Sequence, residues 1–158
     1  EVGFGGAALL GKIIHKAMNG FVAGIELSDE MVARGMEQFQ DSIKTGHLVI
    51  KQGTVASLAF PNAHFNKVCT VNTVYFWADL GTCFSELYRV IEPGGQLVIG
   101  YTADKDVRGA GLDQCGFIPY STDELKVALL ARGFEPGLVK SGSDNRGDFF
   151  VLTAKRVG

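Results

Sequence analysis

The chain is short of several things, and each shortage excludes a class of protein. Its three cysteines, Cys69, Cys83 and Cys115, are odd in number, widely spaced and without a C-x-x-C pair. That excludes a disulfide scaffold and reads as reduced thiols in a cytoplasmic protein. There is no basic run and no acidic tail, and the net charge is −2; the basic stripe of a nucleic-acid binder is missing. No apolar run is long enough to span a bilayer, so neither a membrane nor a nucleic acid is an expected partner. No His, Cys or carboxylate group has metal-ligand spacing, and no serine sits in a nucleophile elbow. Internal repeats, linkers and low-complexity tracts are missing too, so one domain over 1–158 is expected. The chain also has no initiator Met and opens inside a motif, which reads as an N-terminal truncation.

What is present is an ordinary globular composition, 46% apolar and 20% charged, with 21 glycines placed at segment ends. Apolar runs alternate with amphipathic stretches. Ala7 to Met18 carries Leu9, Leu10, Ile13, Ile14 and Ala17 at helical spacing. Phe21 to Glu26, Leu48 to Gln52, Phe65 to Val71 and Gln96 to Tyr101 read as strands. Ser28 caps a helix with Val32, Met36, Phe39 and Ile43 on one face, and Asp79 caps another carrying Leu80, Phe84, Leu87, Tyr88 and Ile91. That second helix ends before Pro93. Positions 102 to 120 read as a long loop. Ser121 and Glu124 form a capping box, and Gly133 ends the helix they open. Phe134 to Ser141 and Phe149 to Arg156 form a terminal antiparallel hairpin around a turn from Gly142 to Gly147. The order β-α-β-α-β-β-α-β-α-β-β predicts an α/β fold, a doubly wound, Rossmann-like sheet that is mostly parallel.

The strongest site signal is Glu1-Val2-Gly3-Phe4-Gly5-Gly6-Ala7. A strand end, a glycine turn and a helix start let backbone approach a ligand closely, and the helix aims its N–H groups and positive dipole end at it. Such ligands bind beyond the carboxyl ends of the strands. Glu26, at the end of the next strand, supplies a carboxylate that can accept both ribose hydroxyls. Together the two signals mean a nucleoside cofactor. Gly3-x-Gly5-x-x-Ala8 followed by Glu26 also fits a dinucleotide turn. The acid at Glu1 and the terminal hairpin, with no second catalytic domain, count against that alternative.

Over nearly its whole length the chain resembles the type 11 group of class I methyltransferases, which includes many small-molecule and quinone methyltransferases. Glu1 to Ala7 resembles the group's acid-x-Gly-x-Gly-x-Gly turn, and Gly24-Ile25-Glu26-Leu27-Ser28 its acidic strand end. Gly53 to Pro61 resembles its adenine-contacting segment, and Arg89 to Gly95 the turn before strand five. The resemblance implies S-adenosylmethionine (SAM) as cofactor and a small-molecule methyl acceptor. It implies that Glu1 faces the methionine amino group and that the amides of the Gly3–Gly5 turn face the carboxylate. It implies that Glu26 holds the ribose and Leu27 packs on the adenine, flanked by Thr54 and Val55, with Asn72 and Thr73 near the methionine moiety.

The chain departs from the pattern in three places. Ala7 replaces the third glycine, and Thr54 stands where an Asp often contacts the adenine amino group. Only the last residues of the first strand are present, and three residues reach about 10 Å. If no residues precede Glu1, the expectation is a gapped or rearranged sheet, or one completed by self-association with a neighbouring chain. For the acceptor, Tyr75 and Trp77 are candidates for an aromatic wall that attracts the sulfonium, and Tyr101 lies at the same end. Phe76 is expected to pack in the core. Asn72-Thr73-Val74-Tyr75 shares the Asn-x-x-Tyr spacing of the Asn-Pro-Pro-Tyr motif of amino-methylating enzymes without its prolines. His15, His47 and His64 read as structural, and nothing selects a general base among Asp79, Tyr101, Asp104 and Tyr120. A non-catalytic cofactor-binding or interaction module with the same fold is the alternative function.

Overall fold

The computed structural model describes residues 1–144 and 147–158. They group into two compact units, Glu1–Val55 and Ala56–Gly158.

In the first unit, β1 (Val22–Glu26) and β2 (Leu48–Gln52) pair in parallel from Val22↔Leu48 to Glu26↔Gln52. The chain start runs beside β1 and forms one parallel bridge, Val2↔Ile25. Three helices accompany these strands: α1 (Ala8–Lys16), α2 (Asp29–Gln38) and α3 (Gln40–Lys44). Phe4, Ala7, Leu10, Val22, Val32, Leu48 and Ile50 form one apolar core, with Ile13, Ile14, Ala17, Phe39 and Ile43 packed against it. At about 25 cal/mol per Å² of buried apolar surface, such a cluster is what holds short helices in place.

Gly24 sets how closely the layers approach. A Cβ there would lie 2.9 Å from Leu10 Cδ2 and 3.0 Å from Phe4 Cδ1, so a larger residue would push the helix off the strand. Ser28 caps α2 as expected, its hydroxyl accepting the N–H of Met31 at 3.4 Å. The expected single helix through Ile43 is instead two, broken at Phe39, whose φ is −114°. Val32 and Gly35 face inward, and Met36, expected on the buried stripe, is 44% exposed. The face is set by Gly35, where a Cβ would meet Phe4 Cε2 at 3.0 Å, rather than by the largest apolar side chain nearby.

In the second unit the strands run in the order β3-β4-β6-β5. β3 (Phe65–Val71) pairs in parallel with β4 (Ile91–Thr102). β4 pairs antiparallel with β6 (Gly147–Arg156), which pairs antiparallel with β5 (Phe134–Asp144). The terminal antiparallel hairpin is present, but its strands run further than expected: Gly142, Ser143 and Asp144, read as turn, pair with Phe149, Asp148 and Gly147, and Asn145 and Arg146 lie outside the described residues. Leu97, Ile99 and Tyr101 alternate inward along β4, opposite Ala154, Leu152 and Phe150.

α4 (Leu80–Val90) starts on the expected cap: Asp79 accepts the N–H of Gly81 at 2.9 Å and of Thr82 at 3.2 Å. It stops at Val90, and β4 begins at once, taking Pro93-Gly94-Gly95 in a bulge between the Phe65↔Ile91 and Lys67↔Gln96 pairs. α6 (Thr122–Leu130) carries the expected Ser121/Glu124 capping box. The expected loop of 102–120 contains α5 (Asp104–Gly109) and a 3-10 turn at Leu112–Cys115. No helix among the described residues is long and apolar enough to cross a membrane.

Candidate functional site

The glycine turn and the acidic strand end meet in the first unit. The N–H of Ile25 bonds the carbonyl of Glu1 at 2.9 Å, and the N–H of Gly3 bonds the carbonyl of Ile25 at 2.7 Å. This pair fixes the turn beside the carboxyl end of β1. Gly3 (φ 72°) and Gly5 (φ 46°) take left-handed conformations that the tight turn requires. Ala7 also sits left-handed, at φ 60°, and the helix it caps receives no side-chain cap. Nothing lies within 4 Å of a Cβ built on Gly5 or Gly6, so the outer side of the turn is open.

Glu26 joins the two signals. Its Oε2 accepts the N–H of Gly5 at 2.8 Å, and its Oε1 accepts the N–H of Leu27 at 2.8 Å and of Ser28 at 3.1 Å. Three amides thus aim the carboxylate at the turn. Leu27 is 69% exposed beside it. The carbonyls of Glu26 and Leu27 take bonds from Gly53 N–H at 2.9 Å and Gln52 Nε2 at 3.1 Å, which bring the end of β2 alongside. Thr54, exposed, and Val55, buried, follow directly. Glu1, Gly3, Gly5, Glu26, Leu27 and Thr54 therefore gather at one end of the β1–β2 pair.

Glu1 is the unbalanced group. Its Oε2 is buried with no hydrogen-bond partner among the described residues. Burial pushes its pKa up to about 7; the terminal ammonium opposes the shift and the nearby Glu26 adds to it. A buried carboxylate without a partner favours a cation that can donate to it. The unpartnered oxygen, the open turn and the carboxylate aimed across it fit an amino acid joined to a nucleoside.

In the second unit, Asn72 follows β3 in the left-handed region at φ 55°, its N–H bonded to the carbonyl of Gly100 at 2.9 Å. Thr73 Oγ1 bonds Thr70 Oγ1 beneath it. Tyr75 donates to Asn72 Oδ1 at 3.3 Å and accepts the N–H of Thr102. The ring of Trp77 packs edge-on against Phe84 at 5.8 Å. Tyr101 is buried, its hydroxyl 2.7 Å from Thr122 Oγ1, and burial holds its pKa above the usual phenol range. The expectation for Phe76 is corrected: Tyr75 and Trp77 are 3% and 5% exposed, whereas Phe76 is 60% exposed and lies 4.7 Å from Phe117. On a single 3-10 turn three consecutive rings cannot share a face, and Tyr75 is held inward by its own bonds.

Two of the groups weighed as bases are already engaged. Asp79 is held below the usual carboxylate range by its bonds to Thr82. The Tyr120 hydroxyl donates to the carbonyl of Trp77 at 2.6 Å. His47 bonds the carbonyl of Ile14 at 3.2 Å, and His64 stacks on Phe60 at 5.8 Å; both lie before their strands, away from the site ends.

Glu86, and its pairing with Arg89, were missed by sequence reasoning. Arg89 Nη2 bonds Glu86 Oε1 at 2.7 Å and the carbonyl of Leu58 at 2.9 Å; its Nη1 bonds the carbonyl of Phe60 at 2.8 Å. Glu86 Oε1 accepts the N–H of Leu58 at 2.6 Å. The pair staples the segment after the Gly53 turn onto α4. The i, i+3 spacing was visible, but its target lies 27 to 31 residues away.

These features define an α/β fold whose glycine turn and acidic strand end meet beside β1. The chain belongs to the methyltransferase-domain family of type 11, which matches residues 1–99. It is 25% identical over 99 residues to the uncharacterized methyltransferase YdaC of Bacillus subtilis, a stretch covering 63% of this chain and 52% of that one. It is 28% identical over 78 residues to the ubiquinone/menaquinone biosynthesis C-methyltransferase UbiE of Geobacter sulfurreducens, covering 49% of this chain and 30% of that one. The matched stretch thus spans about half the length of the first relative and less than a third of the second. A solved geranyl diphosphate methyltransferase in complex with SAM has the same fold, with a TM-score of 0.83, 15% identity and coverage of 99% of this chain and 76% of that one.

Proposed function

We propose that the chain transfers the methyl group of SAM to a small-molecule acceptor, the whole of 1–158 acting as one methyltransferase domain. The observation that carries the reading is the buried, unpartnered Oε2 of Glu1 beside an open glycine turn that Glu26 spans. The single-domain reading is supported by a family match that runs from 1 to 99, across the first compact unit and into the second.

In this reading Glu1 accepts the methionine ammonium and the start of α1 presents N–H groups to the carboxylate, while the amides of Gly3 and Gly5, spent on Ile25 and Glu26, shape the turn rather than donate to the ligand. Glu26 accepts a ribose hydroxyl on Oε2, where its three amide bonds leave one lone-pair site open. Leu27, Thr54 and Val55 take the adenine, and Asn72 and Thr73 the methionine end. Bound SAM supplies an electrophilic sulfonium methyl. Tyr75, Trp77 and Tyr101 back the acceptor side as a packed aromatic layer that excludes water. The acceptor is neither a nucleic acid nor a membrane surface, consistent with a net charge of −2 and no basic stripe, and the protein works in the cytoplasm.

A non-catalytic cofactor-binding module is the second reading. It is favoured by one observation: Asp79 caps α4 and Tyr120 bonds Trp77, so neither offers an idle base. Calorimetric titration with S-adenosylhomocysteine, with NADH as control, tests the cofactor class. Binding of S-adenosylhomocysteine alone supports the proposal, and binding of NADH alone overturns it. Turnover of labelled SAM with a panel of small acceptors then separates enzyme from module.

A further inference from the structure

The hydroxyl of Tyr75 fixes which way the Asn72 carboxamide points. Thr102 brings a backbone N–H to the Tyr75 oxygen, and a backbone N–H can only donate. The phenol must place its own hydrogen elsewhere. Tyr75 is 3% exposed, so that hydrogen needs a protein acceptor rather than water. The Asn72 carboxamide lies 3.3 Å away. Of its two ends only oxygen accepts, so Oδ1 faces Tyr75 and Nδ2 faces outward. The backbone holds the same arrangement: Asn72 is left-handed, which asparagine tolerates, and its N–H is bonded to Gly100. Asn72 is exposed, and among the described residues nothing bonds Nδ2.

We infer that Asn72 is a hydrogen-bond-donor subsite for an oxygen of the bound ligand, with Tyr75 as the positioning residue that turns the amide nitrogen outward. The inference rests on the reading of Asn72 as part of the methyltransferase site. The outward Nδ2 can only donate, so what it meets must be an oxygen that accepts. The subsite suits an anionic or hydroxyl oxygen. That oxygen belongs either to the cofactor's carboxylate or to an enolate or phenolate acceptor.

The Asn72→Asp variant distinguishes these. The carboxylate still accepts from Tyr75, but the outward group changes from donor to anion. Three probes are titrated: S-adenosylhomocysteine; 5′-methylthioadenosine, which has no carboxylate; and 4-nitrophenolate on protein loaded with S-adenosylhomocysteine. If the subsite holds the cofactor, N72D weakens S-adenosylhomocysteine about tenfold or more and leaves 5′-methylthioadenosine unchanged. If it holds the acceptor, N72D leaves S-adenosylhomocysteine unchanged and weakens 4-nitrophenolate by a similar factor. Tyr75→Phe, which frees the amide to turn, shifts the same probe in the same direction by a smaller factor. The inference is overturned if N72D moves none of the probes, or moves S-adenosylhomocysteine and 5′-methylthioadenosine equally. Failure of the unsubstituted protein to bind S-adenosylhomocysteine at all would instead defeat the methyltransferase reading beneath it.

Discussion

Glu26 reaches back across 21 residues of sequence to hold the amide of Gly5 at 2.8 Å. One carboxylate thereby ties the glycine turn to the end of β1, while its other oxygen holds the loop that begins α2. Turn and acid form a single construction, and each restrains the other.

Replacing Glu26 with Gln tests that coupling. The amide retains one acceptor oxygen but cannot serve Gly5, Leu27 and Ser28 together, and the charge that strengthens those bonds is lost. Affinity for S-adenosylhomocysteine is expected to fall at least tenfold, on the scale of one charge-assisted hydrogen bond. Calorimetry reads the loss, and circular dichroism should show the helices intact.

Glu1 makes stability and binding depend on pH in opposite directions. Its folded pKa is about 7 against an ordinary 4.5, so between those values the folded state holds more proton than the unfolded state. Stability without ligand is therefore fullest below about 4.5 and is lost as pH rises through about 7. Where Glu1 holds the cofactor's ammonium as proposed, cofactor affinity runs the other way, since that contact needs the ionised carboxylate; it rises up to about pH 7 and then levels. Glu1→Gln should flatten both curves. Thermal melts and titrations at a series of pH values check the two signs.

Ala7 occupies a left-handed position, φ 60°, with its methyl buried in the core. The left-handed region costs an L-residue about 1–2 kcal/mol, and a buried methyl is worth about 0.8 kcal/mol. Ala7→Gly is therefore expected to leave stability unchanged or slightly higher. Ala7→Val, with a β-branched residue where φ is positive, should lose about 2 kcal/mol or more. Urea midpoints order the three.

Arg89→Ala removes the donors that bind the carbonyls of Leu58 and Phe60 and leaves Glu86 without its cation. With the Arg side chain 32% exposed, part of each bond is replaced by water, and a loss of about 1–2 kcal/mol is expected. Hydrogen exchange should show faster opening across 56–64 than elsewhere in the chain. A uniform change in exchange would contradict a local staple.

The features legible in the sequence share one property: their causes lie within a few residues. The caps at Ser28, Asp79 and Ser121, the alternation of strands and helices, the terminal hairpin and the glycine turn are all set by neighbours three or four positions away. Glu26 was readable as an acid at a strand end, although its bond to Gly5 was not. The break at Phe39 and the bulge taking Pro93-Gly94-Gly95 were misread because each depends on what packs against it.

The sequence alone determined the fold class, the family and the conformation of the glycine turn, because backbone preference and short-range spacing encode them. Only the tertiary structure decided that Tyr75 faces inward while Phe76 faces out, that the Asn72 amide turns its nitrogen outward, and that Arg89 secures Leu58 and Phe60. Those choices follow from which donor finds which acceptor once distant segments meet, and a hydrogen bond carries no mark of its partner along the chain.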